Sequence, residues 1–143
     1  MMKKNYQTQW VAQFYTAAEL TRRGYLATFT LGNAPEVDLL CASPSGRHFN
    51  VDVKGLSSKN FWLIREREPH EDLYYVLVYL PPNFENPQYF ILHSKVLMKK
   101  IAGLKKLTLA NGKRWVDSGS GINWGMSLEH QNAWCFSKIG DLT

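Results

Sequence analysis

Apolar and polar positions change period several times along the chain. Between about Asn5 and Arg23, Trp10, Val11, Phe14, Tyr15, Ala17 and Ala18 fall on one side of a 3.6-residue wheel. That pattern predicts an amphipathic helix, with Gly24 as its stop. Tyr25 to Leu31 is rich in aromatic and β-branched residues and predicts a strand. Two more strands are expected over Glu36 to Ser43 and Arg47 to Lys54, joined by Pro44-Ser45-Gly46. A three-residue loop ending in glycine is a favoured hairpin connection. Phe61 to Arg65, Leu73 to Leu80 and Gln88 to Leu92 are also strand-like, and Pro81-Pro82 ends the middle one. Leu73 to Leu80 carries no polar alternation, so it belongs in the centre of a sheet, buried on both faces. Ser94 can cap a helix from Lys95 to about Leu104, and Ser127 another from Leu128 to about Ile139, with Gly140 behind it. The expected fold is an α/β (α+β) mixed-sheet domain with an N-terminal helix, about six strands in a central sheet, and C-terminal helices. The first helix should cover one face and the C-terminal helices the other.

At 143 residues this is the size of a single domain, residues 1–143. Hydrophobic residues at 45% and charged residues at 20% are globular composition, and such a chain needs no disulfide or structural metal to fold. Cys41 and Cys135, the only cysteines, each lie in an apolar run and read as small core hydrophobes in a reducing, cytoplasmic protein. The basic start Met1 to Gln7 is followed by no apolar segment, so no signal peptide is expected. No apolar run approaches the ~20 residues of a membrane helix. These features exclude a secreted scaffold, a membrane protein and a multidomain enzyme.

Charge adds a direction. The net charge is +5, and seven basic residues (Lys95, Lys99, Lys100, Lys105, Lys106, Lys113, Arg114) lie between Asn86 and Val116 with no acid among them. Such a block attracts polyanions, nucleic acid above all, or is simply a solvated helix face.

The expected hairpin carries the most chemistry. With Pro44-Ser45-Gly46 as its loop, paired positions sum to about 90. Cys41 then faces Phe49, Leu39 faces Val51 and Val37 faces Val53, an apolar core surface. On the other face Ala42 meets His48, Leu40 meets Asn50 and Asp38 meets Asp52, with Lys54 and Glu36 beyond them. Like charges directly opposite one another destabilise a sheet, and burial drives one pKa up unless a cation intervenes. A divalent metal gives such a pair a purpose, because hard carboxylate oxygens suit Mg²⁺, which keeps waters for chemistry. The competing reading is an exposed polar face with an Asp–Lys ion pair and nothing bound.

Asp38, a hairpin, and then Asp52-Val53-Lys54 resemble the signature of the PD-(D/E)xK nucleases, with Pro35 where that superfamily usually carries its proline. The resemblance covers roughly residues 10 to 95. It extends to Ala17-Ala18-Glu19-Leu20, similar to the restriction-type and resolvase-like members that place a metal-site glutamate on the first helix. It implies a restriction-endonuclease-like fold and hydrolysis of DNA phosphodiesters. It further implies that Asp38, Asp52 and Glu19 hold Mg²⁺ (Mn²⁺ substituting), that the Val53 carbonyl is a further ligand, and that Lys54 assists the attacking water. The second acid is Asp where Glu is commoner, and Glu36 competes with Asp38 for the role of first acid; strand parity favours Asp38. Glu19 has a plainer alternative, a surface pair with Arg22 or Arg23.

Ser57 and Lys59, directly after the motif lysine, could clamp a phosphate or form a polar loop. Lys95, Lys99, Lys100, Lys105 and Lys106 are the candidates for DNA backbone contacts. The four histidines share no ligand spacing, which rejects a zinc site. Trp124 could stack a base or, more simply, close a core edge. The function expected is a metal-dependent DNA endonuclease that would need a homodimer or a partner subunit to cut both strands. The alternative is a non-catalytic nucleic-acid-binding module or regulatory subunit on the same fold.

Overall fold

The structure, a computed structural model, describes residues 3–134 and residue 136. Helix α1 (Lys4–Arg22) leads into strands β1 (Leu26–Phe29), β2 (Leu39–Ala42) and β3 (His48–Leu56). Strand β4 (Trp62–Leu63), strands β5 (Leu73–Tyr79) and β6 (Gln88–His93), and helix α2 (Ser94–Ala110) follow. Strand β7 (Gly121–Ile122) and the single turn α3 (Trp124–Ser127) complete the order. The main sheet is mixed and five-stranded, in the order β1-β2-β3-β5-β6, with only β3 and β5 parallel. This is the mixed α/β class expected, but with one strand fewer in the sheet. The stretch expected as a sixth strand, Phe61 to Arg65, contributes only Trp62–Leu63. These pair with Gly121–Ile122 in a separate ribbon. Gly121 is obligatory there, since a Cβ would stand 1.8 Å from the Trp62 carbonyl oxygen.

The hairpin register is the expected one: Leu39 pairs Val51, Leu40 Asn50, Cys41 Phe49 and Ala42 His48. β5 is buried along its whole length between β3 and β6. One face of the sheet (Leu39, Phe49, Val51, Val53, Tyr74, Val76) packs under α1, with Cys41 buried among them. The other (Tyr75, Leu77, Phe90, Leu92) packs with Leu97, Met98 and Ile101 of α2 and with Trp62.

Three features of the helices differ from expectation. α2 runs on to Ala110, and its cap is the His93 side chain, whose Nδ1 accepts from Lys95 N at 3.1 Å. The helix expected from Leu128 is instead a 3-10 turn, Leu128–His130, followed by a Gln131 bridge to Phe90. Ser127 turns its hydroxyl inward to Trp124 O and Trp62 Nε1 rather than capping. The remainder of that expected helix, and Cys135, lie outside the described residues.

The third difference concerns α1. It buries Ala12, Gln13, Thr16 and Leu20, almost opposite the apolar side read from the sequence, and leaves Phe14 and Tyr15 exposed. Gly55 is the reason. A Cβ at that position of β3 would stand 2.9 Å from the Ala12 Cβ and 3.0 Å from Thr8 O. The helix therefore lies directly on the strand, and only small or flat polar side chains fit between them.

Candidate functional site

β2 begins one residue after Asp38, so β3 continues from Asp52 onward with a backbone edge that β2 does not cover. Asp38 N still bonds Val51 O at 2.9 Å, while its carboxylate Oδ2 accepts from Val53 N at 2.7 Å. Val37 therefore does not pair Val53, nor does Glu36 face Lys54 across a ladder. Glu36 turns away with a left-handed φ of 57°. Next along the edge, the Gln9 amide donates to Val53 O at 2.5 Å and accepts from Gly55 N at 3.1 Å. One side chain thus satisfies two backbone groups that a neighbouring strand would otherwise pair. Gln13, one turn further along α1, reaches Asp38 Oδ1 at 3.4 Å.

Asp52 and Lys54 project from β3 on the α2 side. Asp52 is only 3% exposed, with Oδ1 3.1 Å from Lys54 Nζ and Oδ2 3.6 Å from an Arg67 nitrogen. Oδ1 is held by that ion pair with Lys54 and by no other partner among the described residues. Burial is the main force on its proton affinity and Asp38 adds to it. Lys54 and Arg67 oppose the shift, yet the Asp52 pKa rises from 3.8 to about 6. Burial also raises Asp38, against the pull of the Val53 amide and Lys54.

Nothing in the sequence singles out Arg67. It comes from the irregular segment between β4 and β5, where no periodicity marks it. Its Nε donates to Tyr75 Oη at 2.9 Å, one terminal nitrogen to Glu36 Oε2 at 2.6 Å and the other to Glu36 O at 3.1 Å. Arg65 adds a contact to Glu36 Oε1 at 3.2 Å. Glu36 is thus held by two arginines, which lower its pKa.

The remaining expected residues divide. Glu19 is not brought to the hairpin: its carboxylate lies 3.5 Å from both Arg22 and Arg23, the plainer of the two readings. It sits about 9 Å beyond Gln13 along the helix and roughly 120° around it, which geometry alone removes from the Asp38 edge. On α1 the positions facing the hairpin are the amides Gln9 and Gln13. Ser57 lines a groove of about 360 Å³ that also contains Lys54, Gln9 and Asn60. Lys59 stands apart from that lining, 5.8 Å from the rings of Tyr79 and Trp124. Trp124 stacks on Trp62 and closes a core edge. In the basic block, Lys95 pairs Glu71, Lys100 pairs Glu129 and Lys105 pairs Glu66. Lys99 and Lys106 pair with no acid among the described residues. Lys95 and Lys99 share a groove of about 490 Å³ with Arg67, next to the Asp52 cluster.

No family profile, curated protein or solved structure matches the chain.

Among the described residues no three His, Cys, Asp or Glu side chains cluster as a metal shell. The pair Asp38 and Asp52 suits a different kind of site. Mg²⁺ binds through one or two carboxylates and keeps several waters, and Asp38 Oδ1, with one long contact to Gln13, and the Asp52 carboxylate beside Lys54 are the hard oxygen donors it takes. The Val53 carbonyl already accepts from Gln9, though a carbonyl oxygen has a second lone pair. No described helix is long and apolar enough to cross a membrane.

Proposed function

We propose that this chain is a cytoplasmic, metal-dependent DNA endonuclease of the PD-(D/E)xK type on a restriction-endonuclease-like fold. The observation that carries the reading is the buried Asp52 carboxylate paired with Lys54, with Asp38 near enough to raise its proton affinity. Burying that carboxylate costs stability that Lys54 and Arg67 offset only in part, which is why its pKa is raised. Asp38 and Asp52 would hold Mg²⁺, with Mn²⁺ able to substitute. When bound, the ion acidifies a water and offsets charge on the phosphate.

The chain's own residues do the rest. Gln9 and the Asp38 carboxylate fix the backbone at Val53 and Gly55, which sets the direction of the Asp52 and Lys54 side chains on either side. Lys54, half-buried against Asp52, can orient a water as a hydrogen-bond donor and counter the negative charge that builds on the phosphorane oxygens. Lys99 and Lys106 remain available for DNA backbone contacts, and Lys95 for contacts along the groove it shares with Arg67. A single site cuts a single strand, so double-strand cleavage requires a homodimer or a partner subunit.

The decisive experiment is Mg²⁺- or Mn²⁺-dependent cleavage of linear, supercoiled and branched DNA by wild type and Lys54→Ala. Cleavage by the wild type, lost in the mutant with DNA binding retained, is the expected result. One observation favours a second reading: Lys54 and Arg67 already surround Asp52 with positive charge, as in a structural ion-pair network. Salt-sensitive binding without cleavage, equal in both proteins, would make the chain a nucleic-acid-binding module or regulatory subunit.

A further inference from the structure

We infer that two copies of this chain join through β1, strand against strand, about a twofold axis at Thr28. Such a dimer would form whether or not the chain cuts DNA. The main sheet ends in two edge strands that are finished differently. β6 is overlaid by the segment after α3, with Gln131 bridging Phe90 and Asn132 N donating to Tyr89 O at 2.9 Å. β1 has no such cover among the described residues and pairs β2 on one side only. Thr30 N donates to Asp38 O, which fixes the antiparallel pattern and turns the even-numbered residues of β1 toward β2. The N–H and C=O of Ala27 and of Phe29 therefore point outward along a free edge. Edge strands are commonly blunted by a lysine, a proline or a bulge, and Leu26–Phe29 carries none of these.

The outward groups lie symmetrically about Thr28. A second copy, turned about an axis normal to the sheet at that residue, sets its Phe29 opposite Ala27 and its Ala27 opposite Phe29. Each such pair exchanges two hydrogen bonds, so every outward N–H and C=O of the two residues finds a partner. Five strands from each copy then form one sheet of ten. The flanks of the edge suit a second copy and not a polyanion. No Asp, Glu, Lys, Arg or His lies between Gly24 and Pro35, nor between Asn5 and Ala18 of α1. In a chain of net charge +5, these are surfaces on which two copies meet without opposing like charges. They are also apolar: Leu26 is 72% exposed, Leu31 68% and Phe14 59%, and the Phe14 ring lies 5.2 Å from that of Phe29. Rotation about an axis normal to the sheet keeps each face on its own side. Phe14 of both copies therefore lies on one face of the joined sheet and Leu26 of both on the other. Pairing the backbone while covering these side chains is what drives the association.

The test is the mass of the full chain in solution, by sedimentation velocity over a concentration series without nucleic acid or metal. A species of twice the 16.5 kDa chain mass is expected. A chain that stays monomeric throughout would overturn the dimer and leave the edge to the strand of another protein. Ala27→Pro removes one outward N–H from each copy and none of the bonds to β2, and should weaken the dimer by about tenfold or more. Thr28 is exposed, so Thr28→Lys leaves the fold alone even if the proline variant does not fold. It sets two like charges directly opposite one another and should also dissociate the dimer. A dimer that survives Thr28→Lys is built on another surface and overturns the assignment. Mixing decides the register. Thr28→Lys and Thr28→Glu chains, each monomeric alone, should pair with one another, because the axis brings residue 28 of one copy against residue 28 of the other. A mixture that stays monomeric would overturn the twofold pairing.

Discussion

The two long helices cover opposite faces of one sheet by different means. α2 lays Leu97, Met98 and Ile101 against Tyr75, Leu77, Phe90 and Leu92, and its contribution is apolar burial. α1 presents Ala12, Gln13, Thr16 and Leu20 to the sheet, and its Gln9 and Gln13 amides bond the edge of β3 and the Asp38 carboxylate. The difference shows why the candidate site lies where it does. A helix cushioned by large side chains holds its backbone too far from a strand for a short amide to reach the strand's edge. α1 comes close over Gly55, so its amides can replace the strand that β2 fails to provide. α2 is a lid on the core; α1 is part of the site's framework.

The largest effect should come from breaking each helix's own mode of attachment. Ile101→Ala empties a fully buried position under α2 and should cost about 2–5 kcal/mol in denaturant unfolding. Gly55→Val should cost about as much, on the order of 3 kcal/mol, by forcing α1 off β3. The two should separate in metal binding. At a temperature where both variants remain folded, Ile101→Ala should keep its Mn²⁺ affinity and Gly55→Val should lose it. Equal losses would dissolve the distinction between the helices.

Next in size is the cost of the buried acid. Asp52 has a folded-state pKa near 6 against 3.8 when unfolded, so the native state holds the proton more tightly. Its contribution is then most favourable below pH 3.8 and declines as pH rises toward 6, and burial gives Asp38 the same sign. Asp52→Asn should be more stable than wild type at pH 7, by on the order of 2 kcal/mol. The advantage should vanish by about pH 4, as read by urea midpoints across that range. A destabilised Asp52→Asn at pH 7 would mean that Lys54 and Arg67 outweigh the burial.

Gln9→Ala strips the partners from Val53 O and Gly55 N and should cost about 1–3 kcal/mol. Amide exchange at Gly55 should quicken in the variant. Unchanged exchange there would show that the Gln9 clamp does not hold the strand. The smallest effect has the opposite sign. Gly103 lies on the exposed side of α2 with open space around it, and Gly103→Ala should add about 0.5–1 kcal/mol of stability. An alanine that clashes at Gly55 and stabilises at Gly103 would complete the contrast.

Part of this arrangement is legible in the residues alone. The register of the hairpin follows from loop length and a period of two, because slipping by one residue would turn Leu39, Cys41, Phe49 and Val51 out of the core. β5 is equally plain, since its unbroken apolar run has no other place to go. The ladder itself ends at Leu39 and Val51, so the register brings Asp38 near Asp52 without pairing the two as the sequence suggests.

Other features have no local signal. The side of α1 that faces inward contradicts its apolar wheel, because close approach over Gly55 and two unpaired backbone groups outweigh the burial of Phe14 and Tyr15. Glu19 stands beyond Gln13 on the same helix, where its own neighbours Arg22 and Arg23, three and four residues on, hold its carboxylate. Arg67 arrives from a segment without periodicity, and only the packing of that segment between the sheet and α2 sets it against Asp52 and Glu36. Strand pairing repeats residue by residue and so is written in the sequence. The occupants of a strand's uncovered edge and of a buried carboxylate are chosen among distant groups, and that choice belongs to the tertiary structure.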